Sequence, residues 1–184
     1  MQYSLLEDVL MTLAQTRGIS DLSLDPAVFR GIFSGFPSGV TVVTAMDESD
    51  RPVGLTVSAV MSVSLDPPLL AVCLQNAKYT LQTIRDRESF VVNFLSRGQS
   101  GISNAFAVGD MDKFSTVRWE ASENFGAPIL ESVRAHAECE VHSIVEAGDH
   151  TLIIGRIVSG AVSETDPLAY CARQYVDLVA PQAN

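Results

Sequence analysis

Positive charge is scarce in this 184-residue chain. Lysine occurs twice, at Lys78 and Lys113, and Lys and Arg together number 12 against 22 Asp and Glu, a formal net charge of −10. Nucleic acid and anionic membrane surfaces need clustered cations, so neither is expected as a partner. Cysteine is sparse too: Cys73, Cys139 and Cys171 are widely spaced and form no C-x-x-C pair. That pattern predicts reduced thiols in a cytoplasmic protein and no thiolate metal site. Of the three histidines, His136 and His142 share a strand face but lie six residues apart, roughly 20 Å along a strand and too far to share a metal. No apolar run approaches the ~18 residues of a spanning helix. The first residues, MQYSLLEDVL, carry Glu7 and Asp8 within their apolar stretch and no basic segment, so no signal peptide is expected.

Several reaction signatures are missing as well. No G-x-G-x-x-G follows a strand pattern, which excludes a Rossmann dinucleotide turn. There is no G-x-x-x-x-G-K-[ST] phosphate loop and no G-x-S-x-G nucleophile elbow.

What the chain has in excess is apolar surface: 47% hydrophobic residues and a mean hydropathy of +0.21, more than one monomer's core needs, which predicts a homodimer. Leu5, Leu6, Val9, Leu10 and Leu13 share a helical face that Gly18 ends, so residues 1–24 read as an accessory helix and residues 25–184 as one domain. Asp25-Pro26 forms an N-cap and first-turn pair for a second helix, whose stripe Val28, Phe29, Ile32, Phe33 and Phe36 would either contact a planar ligand or, the commoner role of such a stripe, pack in the core. From Val40 the period becomes that of strands: 40–45, 53–64, a doubly buried 69–74, 90–95, 135–141 and 151–158, with short helices at 80–88 and 99–107. Ala135, Ala137, Cys139 and Val141 alternate with His136, Glu138, Glu140 and His142. Antiparallel strands at short spacing with helices at the margins predict a small closed or partly closed barrel.

Two places carry candidate chemistry. In Gly54–Pro68, GLTVSAVMSVSLDPP, Thr56, Ser58, Ser62 and Ser64 alternate with Val57, Ala59, Met61, Val63 and Leu65. One continuous strand would therefore carry a hydroxyl face and an apolar face, until Asp66-Pro67-Pro68 stops it. The hydroxyl face is either solvated strand or a wall for a phosphate or polyol. His150 closes a Gly148-Asp149-His150 turn, which suits a functional group on a rigid scaffold or a plain surface turn.

Taken with Phe36–Thr44 (FPSGVTVVT), Gly54–Leu74, Phe90–Leu95, Gly148-Asp149-His150 and Asp166-Pro167-Leu168 followed by Tyr175, in that order, the chain resembles the short-chain NAD(P)H:flavin oxidoreductases. These are the reductase components of two-component flavin-dependent monooxygenases. The resemblance covers about residues 28–178. It implies a mainly β (α+β) fold, an antiparallel Greek-key split β-barrel with peripheral helices. It also implies a homodimer that takes FAD or FMN, uses NADH or NADPH as co-substrate and supplies reduced flavin to a partner monooxygenase. Carried over by position, Thr56, Val57, Ser58 and Ala59, then Ser62, Val63 and Ser64, would line the flavin. Lys78, Phe106 and Lys113 would flank its phosphate or adenine end. His150 would act in catalysis and, with Tyr170, Arg173 and Tyr175, face the nicotinamide nucleotide. In such a reaction the cofactors carry the hydride chemistry while the protein stacks and orients them. The alternative on the same barrel is a flavin-carrying electron-transfer protein without NAD(P)H turnover.

Overall fold

Strands form where the alternation predicts them, and the computed structural model, described here for residues 24–109 and 113–178, adds five short ones. The order is α1 (Pro26–Ser34), β1 (Ser38–Gly39), β2 (Thr41–Met46), β3 (Pro52–Val57), β4 (Val60–Ser64), β5 (Leu69–Gln75), α2 (Tyr79–Arg87) and β6 (Ser89–Phe94). Then come α3 (Ser100–Ala107), β7 (Trp119–Ala121), β8 (Pro128–Leu130), β9 (Ala135–Ala147), β10 (His150–Val162), β11 (Ala169–Cys171) and β12 (Gln174–Val176).

Seven strands make one antiparallel sheet in the order β3-β2-β6-β9-β10-β5-β4. The expected single strand from Gly54 through Ser64 is therefore two strands at opposite edges. Only Ser58 and Ala59 separate them, and three Cα steps span at most about 11 Å. The sheet must curl until its edges nearly meet, and the Cys73 amide donates to the Ala59 carbonyl at 3.0 Å across that junction. This is the split barrel that the resemblance implies. The link also slips the side-chain phase by one residue, which turns the side chains that follow it to the other face, and a second register shift falls between Ser62 and Ser64. Val57 is buried and Val60 packs on the core, whereas Met61, Val63 and Leu65 are exposed, Leu65 at 92%. The continuous apolar face read from the sequence ends at Val57.

The barrel interior is filled by Val43, Val72, Phe90, Val92, Cys139 and Ile153. A second apolar layer forms where the β7–β8 hairpin covers the outer face of β2, β6 and β9. Asn93 fastens it: its Nδ2 donates to the Pro128 carbonyl at 3.3 Å, and its Oδ1 accepts from the Leu130 amide at 2.8 Å. Thr44 Oγ1 adds a donation to the Pro128 carbonyl at 2.6 Å. This cover encloses Glu138. That residue is buried, and its Oε2 accepts from the Asn124 amide and Nδ2 at 3.2 and 3.1 Å.

Chain contacts divide the molecule into Met1–Phe36 and Pro37–Asn184. Within the first unit, the Asp25 carboxylate caps α1 by accepting from the Ala27 amide at 2.7 Å, with Pro26 in the first turn. The core packing expected of its stripe is not seen within this unit, where none of the residues of α1 is buried. The helix predicted over residues 1–24 lies outside the described residues, apart from Leu24. No helix among the described residues is long and apolar enough to cross a membrane.

Candidate functional site

An edge strand leaves one row of backbone N–H and C=O groups unpaired. β3 pairs only with β2, and its open side forms the floor of a cleft of about 790 Å³. Gly54 permits this arrangement. A Cβ there would come 3.0 Å from Phe106 Cε1 and 3.1 Å from Thr44 Cγ2, so the missing side chain lets Phe106 of α3 lie close against β3. Thr56 Oγ1 donates to the Ser103 carbonyl at 2.6 Å, which pins α3 to the strand. Its hydroxyl is thus committed to structure, and the cleft receives the backbone edge instead. Lys113 Nζ donates to the carbonyls of Gly54 and Phe106 at 3.3 and 3.4 Å and sits 5.6 Å from the Phe106 ring centroid.

The facing wall is the segment after β5, and one side chain ties it to the histidine turn. Asn76 Nδ2 donates to the Gly148 carbonyl at 3.1 Å, and its amide donates to the Asp149 carbonyl at 3.0 Å. Asn76 Oδ1 accepts from Thr151 Oγ1 at 2.7 Å, and Arg85 Nη2 contacts the same hydroxyl at 3.2 Å. His150 is thereby bracketed at Gly148, Asp149 and Thr151. Its Nδ1 lies 2.7 Å from Asp149 Oδ1, and its side chain is 36% exposed at the cleft. The hydrogen bond from His150, with its charge, holds the Asp149 carboxyl below the usual carboxylate range. When Nδ1 donates to Asp149, Nε2 is the ring atom left for a ligand. Cys73 also lines the cleft; burial first, and the Asp149 charge second, push its thiol up, so it is held as the thiol rather than the nucleophilic thiolate.

At another part of the lining, Asp47 is only 4% exposed. Its Oδ1 accepts from the amides of Ser49 and Arg51 at 2.8 and 3.0 Å. Its Oδ2 accepts from Arg51 Nε at 3.0 Å and from the Tyr79 hydroxyl at 3.2 Å, with Arg51 Nη2 at 2.9 Å. The Arg51 backbone N–H leads the donors that hold this carboxyl below its ordinary range.

Of the residues predicted for the site, the cleft gathers Thr56, Val57, Ser58, Ala59, Lys78, Phe106, Lys113 and His150. Ser62, Val63 and Ser64 stand on β4, at the other edge of the sheet, and are not among the residues lining this cleft. Tyr170, Arg173 and Tyr175 lie in or beside the three-stranded sheet β1-β11-β12, also outside the lining. That hairpin turns at Ala172 and Arg173, both at positive φ (50° and 62°). It meets α3 on another side, where the Tyr175 hydroxyl donates to Asn104 Oδ1 at 2.7 Å. Sequence reasoning missed Asp47, Arg51 and Tyr79; the opposite charges four residues apart around a turn were the available signal.

Both lysines of this acidic chain and Arg51 line the cleft, and among its described lining residues the one carboxylate is Asp47, which Arg51 already pairs. Aromatic and small apolar side chains complete the lining. The donor set fits an anionic ligand with planar rings, and the residues can bind and orient it.

Comparison with known proteins agrees with this chemistry. The model of the flavin reductase like domain matches residues 33–178. The chain is 41% identical over 155 residues to a flavin reductase (NADH) of Kitasatospora aureofaciens, covering 83% of this chain and 81% of that one. It is 39% identical to the reductase component of an FADH(2)-dependent resorcinol hydroxylase of a Rhizobium species, covering 80% and 84%. The solved NADH:FAD oxidoreductase of Streptomyces globisporus C-1027, in complex with NAD and FAD fragments, superposes with a TM-score of 0.81 at 32% identity, covering 88% of this chain and 99% of that one. Some relatives are longer: the chain spans 48% of a probable flavin reductase of Rhizobium meliloti.

Proposed function

This chain belongs to the flavin reductase like family, and from that membership we propose that its cleft is the seat of NAD(P)H-dependent flavin reduction, with reduced flavin passed to a partner monooxygenase. The observation that carries the assignment is the charge of the cleft: both lysines and Arg51 gathered in one depression of a chain with net charge −10. When bound, the nicotinamide supplies the hydride and the flavin accepts it. The chain's own part is to bind and to orient. Lys78, Lys113 and Arg51 hold the anionic portions of the ligands, and Lys113 also places positive charge beside the open edge of β3. The edge groups of β3, through Ser58 and Ala59, supply hydrogen-bond partners for a heteroaromatic ring. Phe106 gives that ring an apolar neighbour.

His150 orients the nicotinamide nucleotide or supplies a proton from Nε2, its ring fixed through Nδ1 by Asp149. The homodimer is proposed on the apolar side chains left exposed along the β4 edge, Met61, Val63 and Leu65. Cys73 and Cys139 stay as thiols, which suits a reducing compartment, and we assign the protein to the cytoplasm. Purified protein mixed with NADH or NADPH and either flavin should oxidise the nicotinamide and bleach the flavin anaerobically. His150→Ala should slow reduction with a smaller change in flavin binding. No turnover with any pair would defeat the reductase assignment, and permanently bound flavin with no NAD(P)H oxidation would make the chain a carrier.

A further inference from the structure

A tyrosine that is half exposed ordinarily swings between rotamers. Tyr79, 50% exposed, is held at both ends: its Cα opens α2, and its hydroxyl donates to the buried Asp47 carboxylate at 3.2 Å. The same carboxylate holds the Nε and Nη2 side of Arg51, whose side chain is 61% exposed and whose Nη1 finds no acceptor among the described residues. The carboxylate has no free capacity for a ligand: with two backbone amides, the guanidinium and the phenol, its oxygens are filled. One buried anion therefore fixes an aromatic face and a guanidinium side by side on the cleft lining, beside Lys78. Tyr79 also walls a second depression of about 120 Å³, where Glu48 and Asp86 place carboxylate acceptors.

We propose that Tyr79 and Arg51 form a seat for an adenylate. The ring stacks the base, carboxylates beyond the ring accept from its exocyclic amine, and Arg51 takes the phosphate. A flavin mononucleotide has a phosphate but no base for this seat, whereas the adenylates of FAD and of the nicotinamide dinucleotide carry both. The proposal rests on the reductase assignment for its ligands but not for its test.

Calorimetric titration with AMP examines the seat alone, using wild type, Tyr79→Ala, Tyr79→Phe and Arg51→Ala. AMP should bind wild type about tenfold more tightly than either alanine variant, the scale expected from losing one stacked base or one charged contact. Tyr79→Phe keeps the ring and should retain most of the affinity, which separates stacking from a general loss of fold. Fluorescence titration with FAD and FMN and calorimetry with NAD then identify the source. If FAD fills the seat, FAD binds about tenfold more tightly than FMN, AMP competes with FAD alone, and both alanine variants erase the preference. If the nicotinamide dinucleotide fills it, FAD and FMN bind alike and AMP competes with NAD. Absence of AMP binding to wild type, or AMP affinity unchanged in both alanine variants, overturns the seat. A wild type that oxidises NADH with flavin but ignores AMP would defeat this inference alone. A wild type that binds AMP but never oxidises NAD(P)H would leave the seat standing and defeat the reductase assignment.

Discussion

Truncating Asn76 to alanine should loosen the histidine turn without touching the histidine. Two side-chain hydrogen bonds disappear, from Nδ2 to the Gly148 carbonyl and from Thr151 Oγ1 to Oδ1, while the backbone bond to the Asp149 carbonyl remains. A neutral hydrogen bond contributes about 1 kcal/mol net, and a buried group left with fewer partners costs somewhat more. Thr151 is fully buried but keeps its Arg85 contact. The expected loss of stability is therefore about 2 kcal/mol, readable as a lower urea midpoint with unchanged slope. His150 keeps its Asp149 partner, yet the turn that carries it has lost its side-chain clamp to the Gln75–Thr80 wall. Stopped-flow reduction of bound flavin should slow about tenfold, equivalent to ~1.4 kcal/mol of lost orientation. Amide exchange at residues 148–151 should rise in parallel. Asn76→Asp keeps the Thr151 acceptor but sets a carboxylate against the Gly148 carbonyl, so it should slow reduction at least as much. Wild-type reduction rates in Asn76→Ala, at any stability, would refute the view that this clamp positions His150.

Gly54→Ala should destabilise the protein by about 1–3 kcal/mol through overpacking and weaken flavin binding, because the new Cβ must displace Phe106 from the cleft wall; equilibrium unfolding and fluorescence titration check both effects. The Asp47 carboxyl titrates below its unfolded value near 3.9. Its contribution to stability is present above that value and lost as pH falls through the lower folded one, so Asp47→Asn should flatten the acid limb of a stability-against-pH curve below about pH 4. Cys73 should alkylate slowly, its thiol being pushed up by burial, and saturating flavin should slow it further because the residue lines the cleft; mass spectrometry of iodoacetamide-treated protein reads this. Cys139, pushed up to about 12 by burial, should not react in the native state.

Strand positions were legible because alternation is a local signal, and the rarity of lysine drew attention to two cleft residues. Pairing was not legible, since β3 and β4 adjoin in sequence yet sit at opposite edges. Ser58 and Ala59 fit the polar–apolar alternation, so the phase slip between β3 and β4 left no mark. Three-residue strands such as β7 and β8 are too short to show a period. Without them the burial of Glu138 was invisible. Asp47 and Tyr79 meet across 32 residues of chain, a contact that no local pattern encodes.

The two-residue link between β3 and β4 also has a kinetic meaning. Five strands lie between the edges that it joins, so the edges can adjoin only after contacts distant in sequence have formed, the slow class of folding event. The floor of the cleft therefore belongs to a late stage of folding. A nucleotide added to refolding protein has nothing to grip before the sheet curls shut, so it should slow the loss of the folded form without hastening its first appearance.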